Sequence, residues 1–340
     1  MADVVRMSVE TEGGPLRATR IAEAAPGRGE VRVTVVATGV CGADVGTVRG
    51  ARGSALPVTP GHEVGGVIAE LGEGVAGWDV GERVAVGWFG GSCGHCAACR
   101  RGDLVHCPDR RIPGRSYPGG WAQSITVPAT ALARVPDGLD LVDAAPMGCA
   151  GVTTFNALRH AGVRPGARVA ILGLGGLGHL AVQFADAMGF EVVVIARGPE
   201  KAADAADLGA DAYVDADSVD PGAVLKESGG VDLIVSTVPA TSAVEAVLPG
   251  LRPRGRLVLL GVAAGTLPVP VGQLVMNAQS VSGHVTGTPS DTEAAMRFAL
   301  RNGIRPWAQR MPLEDVQEAV DRLAAGDVRY RIVLDTGARL

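Results

Sequence analysis

The stretch VAILGLGGLGHLAVQFADAMG, residues 169–189, decides the fold. A short apolar run ends in a glycine-rich turn, and a segment with the apolar spacing of a helix follows at once. Gly173, Gly175 and Gly178 form G-x-G-x-x-G, with Gly176 and Leu177 completing the turn. The first glycine permits the tight turn, the second lets backbone approach a pyrophosphate, and the third lets helix and strand pack closely. In a chain with 49 glycines the pattern alone is weak, but its place between strand and helix makes it a dinucleotide-binding signal.

The residue that selects between the two nicotinamide dinucleotides lies about 20 residues on, at the end of the next strand. There VVVIARGPEK offers Ala196 and then Arg197, with no carboxylate for a ribose 2′-hydroxyl. Absence of that acid removes a repulsion against a 2′-phosphate, and Arg197 can pair with one. The expectation is NADP(H), with NAD(H) the second choice if Arg197 is solvated or lies over the adenine.

Outward from this stretch the texture of the chain changes once. From about Cys149 onward, short apolar strands (ARVAILG, EVVVIARG, DAYVDA, VDLIVSTV, RGRLVLLGV) alternate with helical segments, which reads as βαβ units and a parallel sheet covered on both faces. Before about Pro146, runs such as VRVTVVATGV, VGGVIAELG, RVAVGWF and WAQSITVPA are punctuated by Gly and Pro, the pattern of an all-β, barrel-like region. Near the end, DTEAAMRFALRNG and LEDVQEAVDRLAAGD read as helices and YRIVLD as a last strand.

At 340 residues, two domains are expected. A hydrophobic fraction of 47% with 20% charged residues describes a globular chain, and a net charge of -5 speaks against a nucleic-acid partner. No apolar run approaches the roughly 18 residues of a membrane span, and MADVVRMSVE lacks a secretory apolar stretch, so a cytoplasmic location is expected.

That location bears on the six cysteines, because disulfides are rare in a reducing compartment while metal thiolates persist. Cys93, Cys96, Cys99 and Cys107 in SCGHCAACRRGDLVHC suit a closed tetrahedral zinc site of four sulfurs with no position for a substrate. His95 and His106 then read as surface residues. Cys41 in GVCGAD and Cys149 in MGCAGVTTF remain, and PGHEVGG adds His62 and Glu63. Two Cys and one His with a position left open are what a catalytic zinc requires. Glu63 is a candidate to fill that position or to orient the other ligands from behind.

These segments, together with PGHEVGGVIAELGEGV, GERVAVGW and AAPMGCAGVTTFNALR, occur in the order and spacing of the zinc-dependent medium-chain alcohol dehydrogenases, and the chain resembles that family over nearly its whole length. The texture is similar to bacterial alcohol dehydrogenases and cinnamyl-alcohol-dehydrogenase-like members. The resemblance implies an α/β fold: a GroES-like β-barrel catalytic domain at 1–148, completed by 286–340, and a Rossmann domain, a doubly wound parallel sheet, at 149–285. It implies two zinc ions per chain, the catalytic one on Cys41, His62 and Cys149 with Glu63 exchangeable. Asp44 corresponds to a carboxylate that orients the ligand histidine and pairs with an arginine of the last strand, Arg331, here grouped with the cofactor-binding positions. Thr153 falls where the nicotinamide is contacted, and Trp88 lines the substrate pocket. Strand pairing around LPVPVGQLV and SVSGHVTG implies a homodimer or homotetramer.

The implied reaction is reversible hydride transfer between a small alcohol or its carbonyl product and the nicotinamide, with zinc as Lewis acid. One departure stands out. Positions that usually carry a Ser or Thr and a His for proton relay hold Ala43 and Gly46, neither of which can move a proton; Thr47 is the nearest substitute. Zinc lowers the pKa of bound water from about 15.7 to about 7, on the order of 12 kcal/mol, whereas a positioned acid or base contributes roughly 3 to 5 kcal/mol. Hydride transfer is thus expected to survive with proton transfer slowed or rerouted. The same departure opens an alternative, NADPH-dependent reduction of an iminium or conjugated alkene; a third reading is a non-catalytic sensor that binds zinc and dinucleotide.

Overall fold

The computed structural model describes residues 3–50 and 56–338, so Met1 and Ala2 of the opening decapeptide lie outside it. The chain divides into two compact units: Met1–Val152 with Thr286–Arg301 and Arg305–Leu340, and Thr153–Val285 with Asn302–Ile304. The division falls at Val152/Thr153 rather than after Gly148, which leaves Cys149 in the same unit as Cys41 and His62.

In the second unit six strands form one parallel sheet in the order Ala212–Asp215, Glu191–Ala196, Arg168–Leu172, Val231–Ser236, Leu251–Leu259, Ser280–Gly283. In chain order this is 3-2-1-4-5-6, the doubly wound arrangement whose crevice at the strand carboxyl ends receives ligands. The central strands are continuous Val, Ile and Leu runs because both faces are buried: Ala170, Leu172, Val193, Ile195 and Ile234 share a core with Leu225, Val244 and Leu248 from the helical segments.

The first unit holds a seven-stranded sheet in which Glu30–Val40 is the hub. It pairs antiparallel with Val64–Leu71, Ser124–Pro128 and Arg331–Asp335, so the C-terminal strand completes the N-terminal sheet. Asp3–Val9 and Leu16–Ala22 form a separate antiparallel hairpin. The alternating burial of Val31, Val33 and Val35 seats one face of the hub on Val64, Ile68, Val84, Ile125 and Val127. This half is not wholly β, as its texture suggested. Helices Gly42–Val48 and Leu141–Pro146, followed by a π-turn at Met147–Gly151, interrupt it, and these insertions carry the two isolated cysteines.

Candidate metal and dinucleotide sites

Cys41 stands at the end of the hub strand as the N-cap of Gly42–Val48, with extended backbone. Three residues later Asp44 turns back: its Oδ2 accepts from the Cys41 N–H at 3.0 Å, while its Oδ1 accepts from the Gly61 N–H at 3.2 Å and meets His62 Nδ1 at 2.9 Å. One buried carboxylate therefore fixes a helix start, a loop and an imidazole. Because Nδ1 is held by Asp44, the other ring nitrogen is free to bind. His62 Nε2 is buried and has no hydrogen-bond partner, a costly state unless another group completes it.

Cys149 is presented by the π-turn, a backbone widening common at functional sites. Its place is set by close backbone contact. The Trp88 N–H donates to the Gly148 carbonyl at 3.1 Å, and a Cβ on either Gly87 or Gly148 would collide with the other residue's backbone. Ligand atoms of Cys41, His62, Glu63 and Cys149 all lie within 4.8 Å of one another.

The electrostatics suit a cation. The Cys149 thiol donates to Cys41, whose own ionisation is pulled well below the ordinary thiol range while that of Cys149 is pushed well above it. Burial disfavours a charged His62, but Asp44 and Cys41 outweigh it and lift the imidazole to about 10. The Cys149 thiol and the imidazole thus retain protons that a divalent cation would displace, while Cys41 offers an ionised sulfur. The donor set and the orphaned Nε2 fit zinc.

Glu63 is fully buried. The Arg331 guanidinium grips it through Nε at 3.1 Å and through a second, close contact from Nη2. This corrects the sequence expectation of an Arg331–Asp44 pair: Arg331 pairs with Glu63. Register explains the meeting. The hub strand lies between Val64–Leu71 and Arg331–Asp335, and Gly39, without a side chain, leaves the space that Glu63 occupies.

Ala43, Thr47, His62, Trp88, Ile112 and Arg115 are among the walls of a small cavity at this site. Thr47 is buried, its hydroxyl donating to the Ala43 carbonyl at 3.2 Å. Trp88 is half-buried with the Arg110 guanidinium 5.9 Å from its ring centroid.

The four-cysteine loop forms a second cluster. Sulfur separations are 3.5 Å for Cys96–Cys99, 3.6 Å for Cys93–Cys107, 3.9 Å for Cys96–Cys107 and 4.0 Å for Cys93–Cys99. A disulfide needs about 2.05 Å, whereas a tetrahedron with metal–sulfur bonds of about 2.3 Å has edges of about 3.8 Å. All six cysteines are free thiols. Backbone N–H groups of Cys96, Cys99 and Cys93 donate to Cys93, Cys96 and Cys107 sulfurs, and N–H bonds from His95 and Cys96 bring the Cys93 thiol down to about 6. His95 and His106 are exposed, their Nδ1 atoms engaged by the Cys93 carbonyl and Asp103.

In the second unit the glycines divide their labour as their pattern suggested. Gly173 has φ 98°, a Cβ on Gly178 would strike the Gly173 carbonyl oxygen, and a Cβ on Gly175 would meet nothing within 4 Å. The open side of Gly175 leaves room for a group to approach the backbone. Thr237, not apparent from the sequence, ties the turn to the neighbouring strand by donating to the Leu172 and Gly173 carbonyls at 3.0 and 3.2 Å. Ala196 ends its strand and Arg197 is exposed beyond it. A second unforeseen feature lies here: Asp215 accepts from the Gly198 N–H at 2.9 Å, and Glu200 crowds the Cα of Gly198. Thr153 is buried, its hydroxyl donating to the Val285 carbonyl at 3.4 Å.

The family model described as "Alcohol dehydrogenase GroES-like domain" matches residues 27–137, and that described as "Zinc-binding dehydrogenase" matches residues 176–301. An alcohol dehydrogenase of Geobacillus stearothermophilus is 40% identical over 309 residues, 90% of this chain and 91% of its own. An NADP-dependent alcohol dehydrogenase of Mycolicibacterium smegmatis is 36% identical, covering 99% of both chains. The solved structure of a cinnamyl alcohol dehydrogenase from Sorghum bicolor superposes with a TM-score of 0.89 at 32% identity, over 99% of each chain. With both domain types in order and the donor set complete, the chain belongs to the zinc-type medium-chain alcohol dehydrogenases, with a GroES-like catalytic domain and a Rossmann domain.

Proposed function

We propose that this oxidoreductase interconverts a small primary or secondary alcohol and its carbonyl compound with zinc held by Cys41, His62 and Cys149, and that NADP(H) is its preferred cofactor. The observation that carries the reading is the orphaned His62 Nε2 beside the sulfurs of buried Cys41 and partly buried Cys149. Zinc, when bound, supplies a Lewis acid for the substrate oxygen. Asp44 holds Nδ1 of His62, so the tautomer leaves Nε2 for the metal, and it pins the Cys41 turn with the same carboxylate. Arg331 holds Glu63 within reach of the other three donors, as an exchangeable fourth. Trp88 and Ile112 give the pocket apolar walls.

The Thr47 hydroxyl is the proton-active atom of that cavity in place of the residues missing at 43 and 46; a hydroxyl can accept a proton from one side and pass its own to the other. Thr47→Val should lower kcat by about 10- to 100-fold and shift its pH profile, with hydride transfer still detectable. An unchanged profile would remove Thr47 from the route.

For cofactor choice, Arg197 is the cation placed for a 2′-phosphate, whereas Asp215 and Glu200 beside Gly198 favour the NAD(H) reading. A spectrophotometric screen of alcohols and aldehydes with both cofactors tests both statements: we expect turnover of simple aldehydes with higher kcat/KM for NADPH. Higher kcat/KM for NADH would reverse the cofactor preference, and turnover of neither class would remove the alcohol reading. The four-cysteine cluster is assigned a structural zinc, and six free thiols suit a reducing cytoplasm. A second copy of the chain is assigned to the edge strand Ser280–Gly283 and the helix Val271–Asn277, where Val271, Val275 and Met276 are 72, 71 and 84% exposed.

A further inference from the structure

The N-terminal hairpin and two loops of the first unit enclose a cavity of about 460 Å³ that none of the roles above uses. Arg6, Ser8 and Thr19 line it from the hairpin, Thr59 and Arg115 from the loops, and Glu10 is an exposed carboxylate among its walls.

Arg6 is the informative residue. Its Nε is buried without a hydrogen-bond partner, and its guanidinium makes no ion pair among the described residues. Burial makes its charge harder to hold, and the carboxylate that offsets this, Glu23, is already engaged by Ser124 and, at 3.8 Å, by Arg32. A half-buried guanidinium keeps its proton at any ordinary pH, and an anion at its open side would add to the partial compensation that Glu23 gives. Nearby, the buried hydroxyls of Ser8 and Thr59 face each other at 2.7 Å. Only one of the two donates within the pair, which leaves one O–H to donate elsewhere. Arg115, another lining residue, also borders the cavity that contains His62 and Trp88.

We propose that this cavity binds an oxyanion, the phosphate or carboxylate group of a small molecule, between Arg6 and Arg115 with a hydroxyl of the Ser8–Thr59 pair as a further donor. Two guanidinium forks match the geometry of such groups. Two guanidinium side chains and one carboxylate, Glu10, are among the walls. Because Arg115 borders both cavities, the anion is either the charged end of an alcohol substrate or a separate small ion.

The test titrates inorganic phosphate into the zinc-loaded protein at constant ionic strength, following thermal stability and binding heat, with chloride as control. Saturable binding weakened at least tenfold by Arg6→Gln and by Arg115→Gln is expected; a response no larger than that of chloride, or binding unaltered in both variants, overturns the site. Should Arg6→Gln fail to fold, Arg115→Gln carries the same readout from an exposed position. A kinetic arm separates the two sources and rests on the alcohol reading. Selective loss of kcat/KM for a carboxylate-bearing benzylic alcohol over benzyl alcohol in Arg6→Gln assigns the anion to substrate, and equal kcat/KM changes with phosphate binding intact assign it to a free ion. If benzyl alcohol is not turned over at all, the alcohol reading fails while the titration still decides the site.

Discussion

Asp44 shows how much one side chain can organise. Its two oxygens take the Cys41 N–H, the Gly61 N–H and His62 Nδ1, so two proposed metal ligands 21 residues apart are oriented by a single buried group. Hydrogen bonds to a charged group contribute about 1.5 to 3 kcal/mol each, and removing a partner behind a metal-binding histidine typically costs 10- to 100-fold in affinity or activity. Asp44→Asn should therefore lose the catalytic zinc to a chelator about 10- to 100-fold more readily while the four-cysteine metal is unaffected; equal retention of both would contradict this role. The two groups of donor side chains were legible in the sequence because metals accept few donor types and these recur at telling places, and the fold brings each group together. The partner of Arg331 was not. It depends on a register in which residues 63 and 331 flank Gly39, and the sequence between them carries no sign of that register.

At the scale of elements, the glycine turn and its helix were readable because each glycine answers a local steric demand. His179, the second residue of that helix, was not singled out, yet it is fully buried with Nδ1 at 3.0 Å from the Gly175 carbonyl oxygen. Burial brings its imidazole down to about 4 from an ordinary 6.5. The folded state thus takes up the proton less readily than the unfolded chain. The stability this confers is complete above about pH 6.5 and is lost as pH falls toward about 4. Urea denaturation of His179→Gln should show a shallower loss of stability over that window than the parent; parallel curves would contradict the assignment. The short helices Gly42–Val48 and Leu141–Pro146 escaped the sequence reading for a different reason: two turns or fewer leave too little length for a 3.6-residue period to declare itself.

At the scale of the whole molecule, the change of texture near Cys149 reflects a real physical difference. Strands buried on both faces must be apolar throughout, whereas strands of the first unit alternate. The return of the chain to the first sheet was legible only through family resemblance, since nothing in YRIVLD says which sheet it joins. The proposed association face carries Val271 and Val275, one turn apart on an exposed helix face. Val275→Asp should shift the protein toward monomer in light scattering behind size exclusion; an unchanged mass would move the interface elsewhere.

The dense cysteine cluster is assigned to brace a loop, and the dispersed Cys41, His62 and Cys149 to carry the chemistry. Zinc content per chain, paired with aldehyde reduction, separates these roles in the parent, Cys149→Ser and Cys99→Ser. Two zinc ions in the parent are expected. Cys149→Ser should keep one and lose activity with its thermal stability little changed, whereas Cys99→Ser should lose the other and unfold at lower temperature. Full activity in Cys149→Ser, or loss of the same zinc in both variants, would contradict the account.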